Sequence, residues 1–248
     1  MQLIKLSDYI GSELAISRFR DYCPNGIQVE GRSEVQRIAT GVTASQAVLQ
    51  AAAAWGADAI LVHHGYFWRN EDAVITGIKK RRIAFLLEQD ISLLAYHLPL
   101  DAHPLWGNNA QLAARLGLVE SGRFGEQDVA WHGTLAKPLG LKEFAKVVAE
   151  ALQFEPLIVE GKVGHISRIA WCSGAAQGYF EQAIALGVNV FLTGEISESN
   201  VHMARESGVT YIAAGHHATE RYGVQALGVH LAERFGLEHR FFDEEVPV

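Results

Sequence analysis

The sequence predicts an α/β protein made of two pseudo-repeated α/β halves that face each other across a metal-binding cleft. Three observations support this fold class. Apolar runs of strand length alternate with amphipathic helical segments, several of these segments recur in the same order in both halves, and three of the apolar runs end in histidine. Because open α/β sheets place ligands at the carboxyl ends of their strands, these histidines are expected to mark the functional site.

The strand that best defines this pattern covers residues 58–64. An apolar run lies between Gly56 and Gly65 and ends in His63 and His64. Its length and flanking glycines favour a buried strand of a largely parallel sheet. Neighbouring side chains on a strand point to opposite sides, but at the turn after a strand they can approach two points a few ångströms apart. The two histidines are therefore candidate metal ligands.

Two further apolar runs end in histidine followed four residues later by a carboxylate. The first pair is His97 and Asp101, and the second is His216 and Glu220. A single histidine near a strand end is usually a hydrogen-bonded rim residue, but three such strand ends favour a metal site. Imidazole and carboxylate ligands suit zinc, iron, manganese, cobalt or nickel. His97 is left out of the ligand set, because His63 and His64 already supply the imidazoles of the first half. The remaining five candidates exceed the needs of one tetrahedral ion, so we expect two divalent ions per chain.

Composition excludes several functional classes. The chain has 248 residues, 49% of them apolar, a formal charge of −7 and a pI near 5.9. No apolar run reaches the roughly 18 residues of a membrane span, and the first residues lack a signal-peptide core, so we expect a cytoplasmic protein. The acidic balance argues against binding nucleic acid through global charge. Cys23 and Cys172 form no motif and are expected to be core or loop residues.

The first α/β repeat is expected to span residues 1–126. It is predicted to contain helices over residues 6–19, 45–55, 79–88 and 107–116, and strands over 27–31, 37–42, 58–64 and 90–97. Thr43 or Ser45 is expected to cap the second helix. A polar, glycine-containing stretch at 121–127 is the best boundary candidate.

The second repeat is expected to span residues 127–248. Its predicted helices cover residues 141–152, 177–186 and 216–234, and its predicted strands cover 157–161, 168–174, 188–195 and 211–214. The polar C-terminal segment around His239 is expected to lie away from every strand end. A variant of His239 should therefore leave the metal site intact.

Four sequence matches connect the halves. Residues 29–31, 37–39, 56–64 and His97 with Asp101 recur as residues 159–161, 168–170, 187–195 and His216 with Glu220. The second and third matches share one offset of 131 residues. Gly194 and Glu195 then occupy the positions that His63 and His64 have in the first half. Glu195 is therefore a candidate carboxylate that supports the metal ligands. Gly194 is expected to leave space for substrate.

Two local segments carry open alternatives. The three aromatics at residues 66–68 follow the histidines directly and could form a wall over the site, pack in the core or contact another subunit. The basic cluster at residues 79–82 opens a helix, where positive charge opposes the macrodipole. An anionic ligand or a neighbouring subunit would relieve that conflict.

The chain resembles the NIF-three-like dinuclear-metal family, whose members are often called type-II homologues of GTP cyclohydrolase I. The resemblance covers nearly the whole chain and rests on the motifs at residues 24–26, 56–59, 62–65, 98–101, 107–109, 193–195 and 215–220. It implies a two-part α/β fold with a two-metal site held by His63, His64, Asp101, His216 and Glu220. It also implies a homohexameric ring with sites facing an internal cavity.

The resemblance leaves three functions open. Two bound cations lower the pKa of a bound water toward neutrality, which supplies hydrolytic capacity. In a GTP cyclohydrolase-like hydrolase, this water would open the guanine imidazole ring, His97 would transfer protons as general acid or base, and Arg69 or the 79–82 cluster would bind the triphosphate. The alternatives are a metal-dependent phosphoesterase or nuclease, and a non-catalytic metal-binding ring scaffold.

Overall fold

The computed structural model describes residues 1–162 and 164–248. The chain divides into two units: the first contains Met1–Gly107 and Gly223–Glu245, and the second contains Asn108–Tyr222 and Val246–Val248. The boundary expected after residue 126 differs from this division. The second unit begins at Asn108, and the chain returns to the first unit at Gly223, within its last helix.

The helices and strands follow one another in the order that the alternating pattern predicts, with additions. The first are α1 (Leu3–Glu13), β1 (Gly26–Val29), β2 (Arg37–Thr43), α2 (Gln46–Trp55), β3 (Ala59–His64), α3 (Gly77–Gln89), β4 (Ser92–Ala95), α4 (Leu98–Ala102) and α5 (Asn108–Leu116). Next come β5 (Leu118–Phe124), β6 (Ala130–Leu139), α6 (Leu141–Leu152), β7 (Leu157–Val159), β8 (Ile166–Trp171) and α7 (Phe180–Ala185). The last are β9 (Val190–Thr193), α8 (Glu198–Ser207), β10 (Thr210–Ala213), α9 (His216–Phe235) and β11 (Glu238–Phe241).

The sheet of the first unit has the strand order β1-β4-β3-β2-β11. Strands β4, β3, β2 and β11 are mutually parallel, and β1 pairs antiparallel with β4. Successive residues of β3 pack on opposite faces: Leu61 belongs to one buried cluster, and Ile60 and Val62 belong to another. Burial on both faces explains why this strand is a continuous apolar run.

The sheet of the second unit has the strand order β5-β6-β8-β9-β10-β7. Strands β8, β9 and β10 are parallel, and β7 pairs antiparallel with β10. Phe191 and Leu192, adjacent on β9, belong to different buried clusters. This central strand is therefore also covered on both faces.

The repeat inferred from the sequence is confirmed by the two strand orders. The order β1-β4-β3-β2 in the first sheet corresponds to β7-β10-β9-β8 in the second, with the same antiparallel edge strand beside three parallel strands. The predicted cap of α2 is also confirmed, since the Ser45 side chain accepts a hydrogen bond from the Val48 N–H at 3.2 Å. Gly56, at φ +82°, ends this helix.

Three parts of the sequence prediction were wrong. The stretch at 121–127, expected to be a break, largely belongs to β5, which pairs antiparallel with β6. The segment around His239, expected to lie away from every strand end, is itself the strand β11, and it pairs parallel with β2. The first helix ends at Glu13 rather than Phe19, and Ala15 follows with φ +49°.

Among the described residues, no helix is long and apolar enough to cross a membrane.

Candidate metal centre

His63 is fixed by its neighbours at the end of β3. Its side chain is fully buried, and Nδ1 lies 3.0 Å from the Tyr96 carbonyl oxygen. Because a carbonyl only accepts, Nδ1 carries the proton and donates it. The other ring nitrogen, Nε2, lies 3.5 Å from Oδ2 of Asp101. This backbone contact to the remote nitrogen is typical of metal-ligating histidines, since it sets the tautomer and the ring orientation.

Asp101 reaches His63 because only two residues separate the end of β4 from the start of α4. Pro99 lies in the first turn of this short helix, where its missing N–H costs no hydrogen bond. The backbone N–H of Asp101 donates to the His97 carbonyl at 3.2 Å, and the Asp101 side chain is only 8% exposed. A buried carboxylate facing an imidazole nitrogen at 3.5 Å fits ligands that share a cation.

Three imidazoles lie together in the first unit. One nitrogen from each of His63, His64 and His97 lies within 4.8 Å of the others. The His63 and His64 rings have centroids 4.7 Å apart, so the adjacent side chains do converge after the strand, as the sequence predicted. His64 Nδ1 lies 3.1 Å from the Thr43 hydroxyl on the neighbouring strand.

His97 is held by two residues that sequence reasoning did not identify as functional. Asp21 Oδ1 accepts a hydrogen bond from His97 Nδ1 at 2.7 Å, and its Oδ2 accepts from the Leu98 N–H at 2.9 Å. Asn25 accepts from the backbone N–H of His97 at 2.8 Å and donates to Asp21 at 2.9 Å. Asp21 and Asn25 therefore fix both the ring and the backbone of His97.

The environment of Asp21 favours its ionised form. Burial by itself raises the pKa of Asp21, but the hydrogen bond and charge of His97, with hydrogen bonds from Asn25 and the Tyr22 N–H, hold that pKa below its usual value. Neighbouring Cys23 behaves differently, because burial and the Asp21 charge raise the pKa of its thiol to about 12. Cys23 therefore remains a protonated thiol at neutral pH, which disfavours it as a metal ligand.

The aromatic segment after the histidines is less exposed than a surface loop. Tyr66 is 5% exposed, and its hydroxyl donates to the Ala44 carbonyl at 2.9 Å, so it is a core residue. Trp68 stands edge-on to His97, with ring centroids 5.1 Å apart, and lies 6.0 Å from His64. Of the three alternatives for residues 66–68, core packing therefore holds for Tyr66, and Trp68 forms a wall beside the imidazoles.

Two of the cations considered for phosphate binding, Arg69 and Lys79, already have acidic or carbonyl partners. Arg69 donates to the Asp21 carbonyl at 2.6 Å, and Lys79 Nζ lies 3.2 Å from a Glu71 carboxylate oxygen. Lys79 also lies over the Phe67 ring at 5.0 Å. The Glu71 carboxylate therefore compensates the charge of Lys79, one of the four basic residues at the start of α3.

The second unit holds His216 between two carboxylates. His216 is the first residue of α9, its Nε2 lies 3.1 Å from Glu220 Oε2 one helical turn later, and its Nδ1 lies 2.8 Å from Glu195 Oε1. Burial lowers the pKa of His216, but the hydrogen bonds and charges of Glu220 and Glu195 together raise it to about 9. Two carboxylates around one imidazole favour positive charge at this point, which a divalent cation supplies.

Two glycines allow the backbone to approach His216 and Glu220 closely. A Cβ on Gly194 would lie 2.6 Å from the His216 Cα and 2.7 Å from the Gly174 carbonyl oxygen. Gly174 has φ +65°, and a side chain there would collide with the Glu220 carboxylate. Gly194 therefore lets the start of α9 pack closely against the end of β9.

The structure groups the predicted site residues by unit. His63, His64, His97 and Asp101 lie together in the first, and His216 and Glu220 lie together in the second, with Glu195 behind His216 as expected. Their donor atoms fit divalent transition metals, because imidazole nitrogens in fixed orientations are combined with largely buried carboxylates.

Comparisons with known proteins agree with this architecture. The family Duf34/NIF3 (NGG1p interacting factor 3) matches residues 1–247. A protein of Pseudomonas aeruginosa named "GTP cyclohydrolase 1 type 2 homolog" is 57% identical over 233 residues, which are 93% of this chain and 92% of that protein. The solved structure of "protein ybgI, unknown function" superposes with a TM-score of 0.97 at 45% identity, covering all of both chains.

A second solved structure extends the comparison to a thermophile. A protein of Thermus thermophilus, TTHA1606, superposes with a TM-score of 0.93 at 34% identity, again covering 100% of each chain. The strand order, the repeated strand ends and these full-length matches together show that this chain belongs to the Duf34/NIF3 family.

Proposed function

We propose that this protein is a hydrolase that uses two divalent metal ions and acts on a nucleotide-like substrate. The proposed ligands are His63, His64 and Asp101 of the first unit and His216 and Glu220 of the second. The observation that carries the proposal is the fixed His63 tautomer, which directs Nε2 toward the Asp101 carboxylate at 3.5 Å. The name of the Pseudomonas aeruginosa relative supports a GTP cyclohydrolase-like substrate.

The metal ions, when bound, supply Lewis acidity and a water of lowered pKa. The chain itself supplies proton transfer. We assign this role to His97, because its Nδ1–H donates a hydrogen bond to Asp21 and Nε2 is then the nitrogen that can exchange a proton with the substrate. Trp68 packs edge-on to His97 and limits access of bulk water to the ring.

Glu195 and Asp21 have parallel positioning roles in this proposal. Glu195 bonds Nδ1 of the ligand His216, and Asp21 bonds Nδ1 of His97. Each carboxylate holds Nδ1 of its imidazole, so that Nε2 is the nitrogen directed toward the proposed metal ions or substrate. The loss of either carboxylate should weaken activity without removing the imidazole itself.

We also propose that the protein assembles as a homohexameric ring. Three apolar side chains on one short segment are half or more exposed: Val74 (56%), Ile75 (50%) and Ile78 (59%). Burial of such a patch against another copy would remove it from water. Light scattering should report six copies per particle, and a monomer at micromolar concentration would contradict the assembly.

Activity screening of the metal-reconstituted protein tests the function. Protein loaded separately with zinc, manganese, iron, cobalt or nickel is incubated with GTP, other nucleotides and single-stranded DNA, and the products are identified by mass. Addition of water to the guanine ring without phosphate release is the expected result. Phosphate release or strand cleavage would instead support the phosphoesterase alternative. If every substrate stays intact with every metal, the hydrolase proposal is wrong.

A further inference from the structure

The second unit contains a cavity of about 490 Å³ next to the residues that hold His216. Its wall comes from the segment after α6, the ends of β9 and β10, and residues 247–248. This volume lies within the range of pockets that enclose small organic ligands. The cavity is therefore large enough for a nucleoside-sized group.

The walls of the cavity suit a flat, apolar ligand. Apolar side chains line it, and two glycines add bare backbone; the main contributors are Phe154, Leu157, Ile196, Pro247, Gly194 and Gly215. The Phe154 ring lies against Gly215, where an added Cβ would come within 3.1 Å of the ring. A planar ring system can enter beside such an aromatic face and stack on it.

Among the described residues that line the cavity, every charged side chain is acidic. They are Glu155 and Glu195, and no lysine, arginine or histidine accompanies them in the lining. A phosphate in this space would face two like charges without a compensating cation. A group with N–H donors would find acceptors there, and neighbouring N–H donors can pair with the two oxygens of one carboxylate.

Glu195 connects the cavity to the metal centre. The same carboxylate that lines the cavity bonds His216 Nδ1 at 2.8 Å, and its other oxygen accepts from Gln177 at 3.2 Å. A ligand that hydrogen-bonds to Glu195 is therefore one residue away from a proposed metal ligand. A heterocycle held in the cavity would therefore lie beside the residues that hold His216.

We propose that this cavity binds a planar aromatic heterocycle carrying adjacent N–H donors, and that it excludes phosphate. The heterocycle stacks on Phe154 and donates hydrogen bonds to the acidic wall. The inference deepens the proposed function, because it places the base part of the substrate. Its test uses metal-free protein, so a failure of catalysis and a failure of this site give different results.

Calorimetry with nucleosides tests the site directly. Metal-free protein is titrated with guanosine, with inosine, which lacks the exocyclic amino group, and with guanosine 5′-monophosphate. Guanosine should bind, and each of the other two should bind about tenfold more weakly, because one loses a hydrogen bond to a charged acceptor and the other adds a repelled charge. Absence of guanosine binding, or equal affinity for the monophosphate, would overturn the proposal.

Three variants locate the binding. Leu157→Trp on the edge strand β7 should fill the cavity mouth and weaken guanosine binding at least tenfold, whereas Val119→Trp on the edge strand β5 should leave it unchanged. The two positions are matched, since Leu157 is 53% exposed and Val119 is 54% exposed. Glu155→Lys should reverse the preference in favour of the monophosphate. Unaltered binding in Leu157→Trp would show that guanosine binds elsewhere.

Discussion

The two units have the same sheet order but place different side chains at the same strand end. At the end of β3 stand His63 and His64, and at the equivalent end of β9 stand Gly194 and Glu195. In the first unit, a distant loop residue, Asp21, bonds Nδ1 of His97. In the second unit, the strand end itself supplies that carboxylate to His216 through Glu195. The same scaffold can therefore carry imidazoles at a strand end in one unit and the carboxylate partner of an imidazole at the equivalent strand end in the other.

The scaffold beneath these strand ends repeats in atomic detail. Asp58 accepts hydrogen bonds from the backbone N–H groups of residues 36 and 37, and Asn189 accepts from those of residues 167 and 168. The N–H of Gly31 donates to Ser92 at 3.0 Å, and that of Gly161 donates to Thr210 at 3.0 Å. The repeat is therefore retained where it supports the sheet and altered at the strand ends that carry His63 and His64 in one unit and Gly194 and Glu195 in the other.

The largest expected effect is at the imidazole-bearing strand end. His64→Ala should lose at least one metal ion and lower turnover more than a hundredfold, while the fold survives, because His64 is only partly buried and its contact to Thr43 is a single hydrogen bond. Elemental analysis and circular dichroism measure both results. The control is His239→Ala, since His239 bonds Thr40 at 2.8 Å and belongs to neither ligand set. Full metal content in His64→Ala would remove this residue from the ligand set.

The next effect concerns proton transfer in the first unit. His97→Gln should keep both metals and the oligomer but lose about 10²–10⁴ in turnover. Asp21→Asn should lose less, about 10–100-fold, and should change the pH dependence of turnover, because a neutral amide no longer fixes the imidazole proton. Metal loss in His97→Gln would identify His97 as a ligand. Unchanged turnover with intact metals would show that it is not the general acid or base.

A smaller effect is expected at the glycine of the second strand end. Gly194→Ala should destabilise the fold by about 1–3 kcal/mol, because the new Cβ would lie 2.6 Å from the His216 Cα. The matched control is Gly178→Ala, where a Cβ meets nothing within 4 Å. Denaturant unfolding measures both free energies. Equal stability of the two variants would contradict the close packing of α9 on this strand end.

The smallest effect tests the equivalence of the two scaffolds. Asp58→Asn gives the first unit the residue that the second unit has at this position, and the amide oxygen can still accept both backbone N–H groups. The variant should lose about 0–1 kcal/mol of stability, from its partly exposed ion pair with Arg32. Asp58→Ala should lose about 1–3 kcal/mol, because both N–H groups lose their acceptor. A cost for Asp58→Asn as large as for Asp58→Ala would break the equivalence.

The sequence was sufficient to predict the repeat and the histidines and carboxylates that come together at the strand ends of each unit. An apolar strand buried on both faces is a continuous run of apolar residues. The point where His63 and His64 end that run can therefore be recognised from the sequence alone. Helix caps such as Ser45 are equally local. Asp21 and Asn25 were missed because their roles depend on contacts with a segment more than 70 residues away. No local pattern encodes such a contact.

The missed strands have a different cause. Strand β5 lies at a sheet edge and carries several exposed polar residues, so it lacks the apolar run that indicates a buried strand. Strand β11 is likewise an edge strand with alternating partial burial. Since β11 joins the first sheet rather than the second, the unit boundary also depends on a pairing that sequence periodicity does not reveal.

The central claim is that the imidazole and carboxylate residues hold two metal ions. Elemental analysis after reconstitution in each of zinc, iron, manganese, cobalt and nickel tests it most directly. Five ligands, two of them carboxylates, exceed the needs of one tetrahedral ion, so we expect about two ions per chain in at least one metal. A value of zero in every metal would contradict the dinuclear centre.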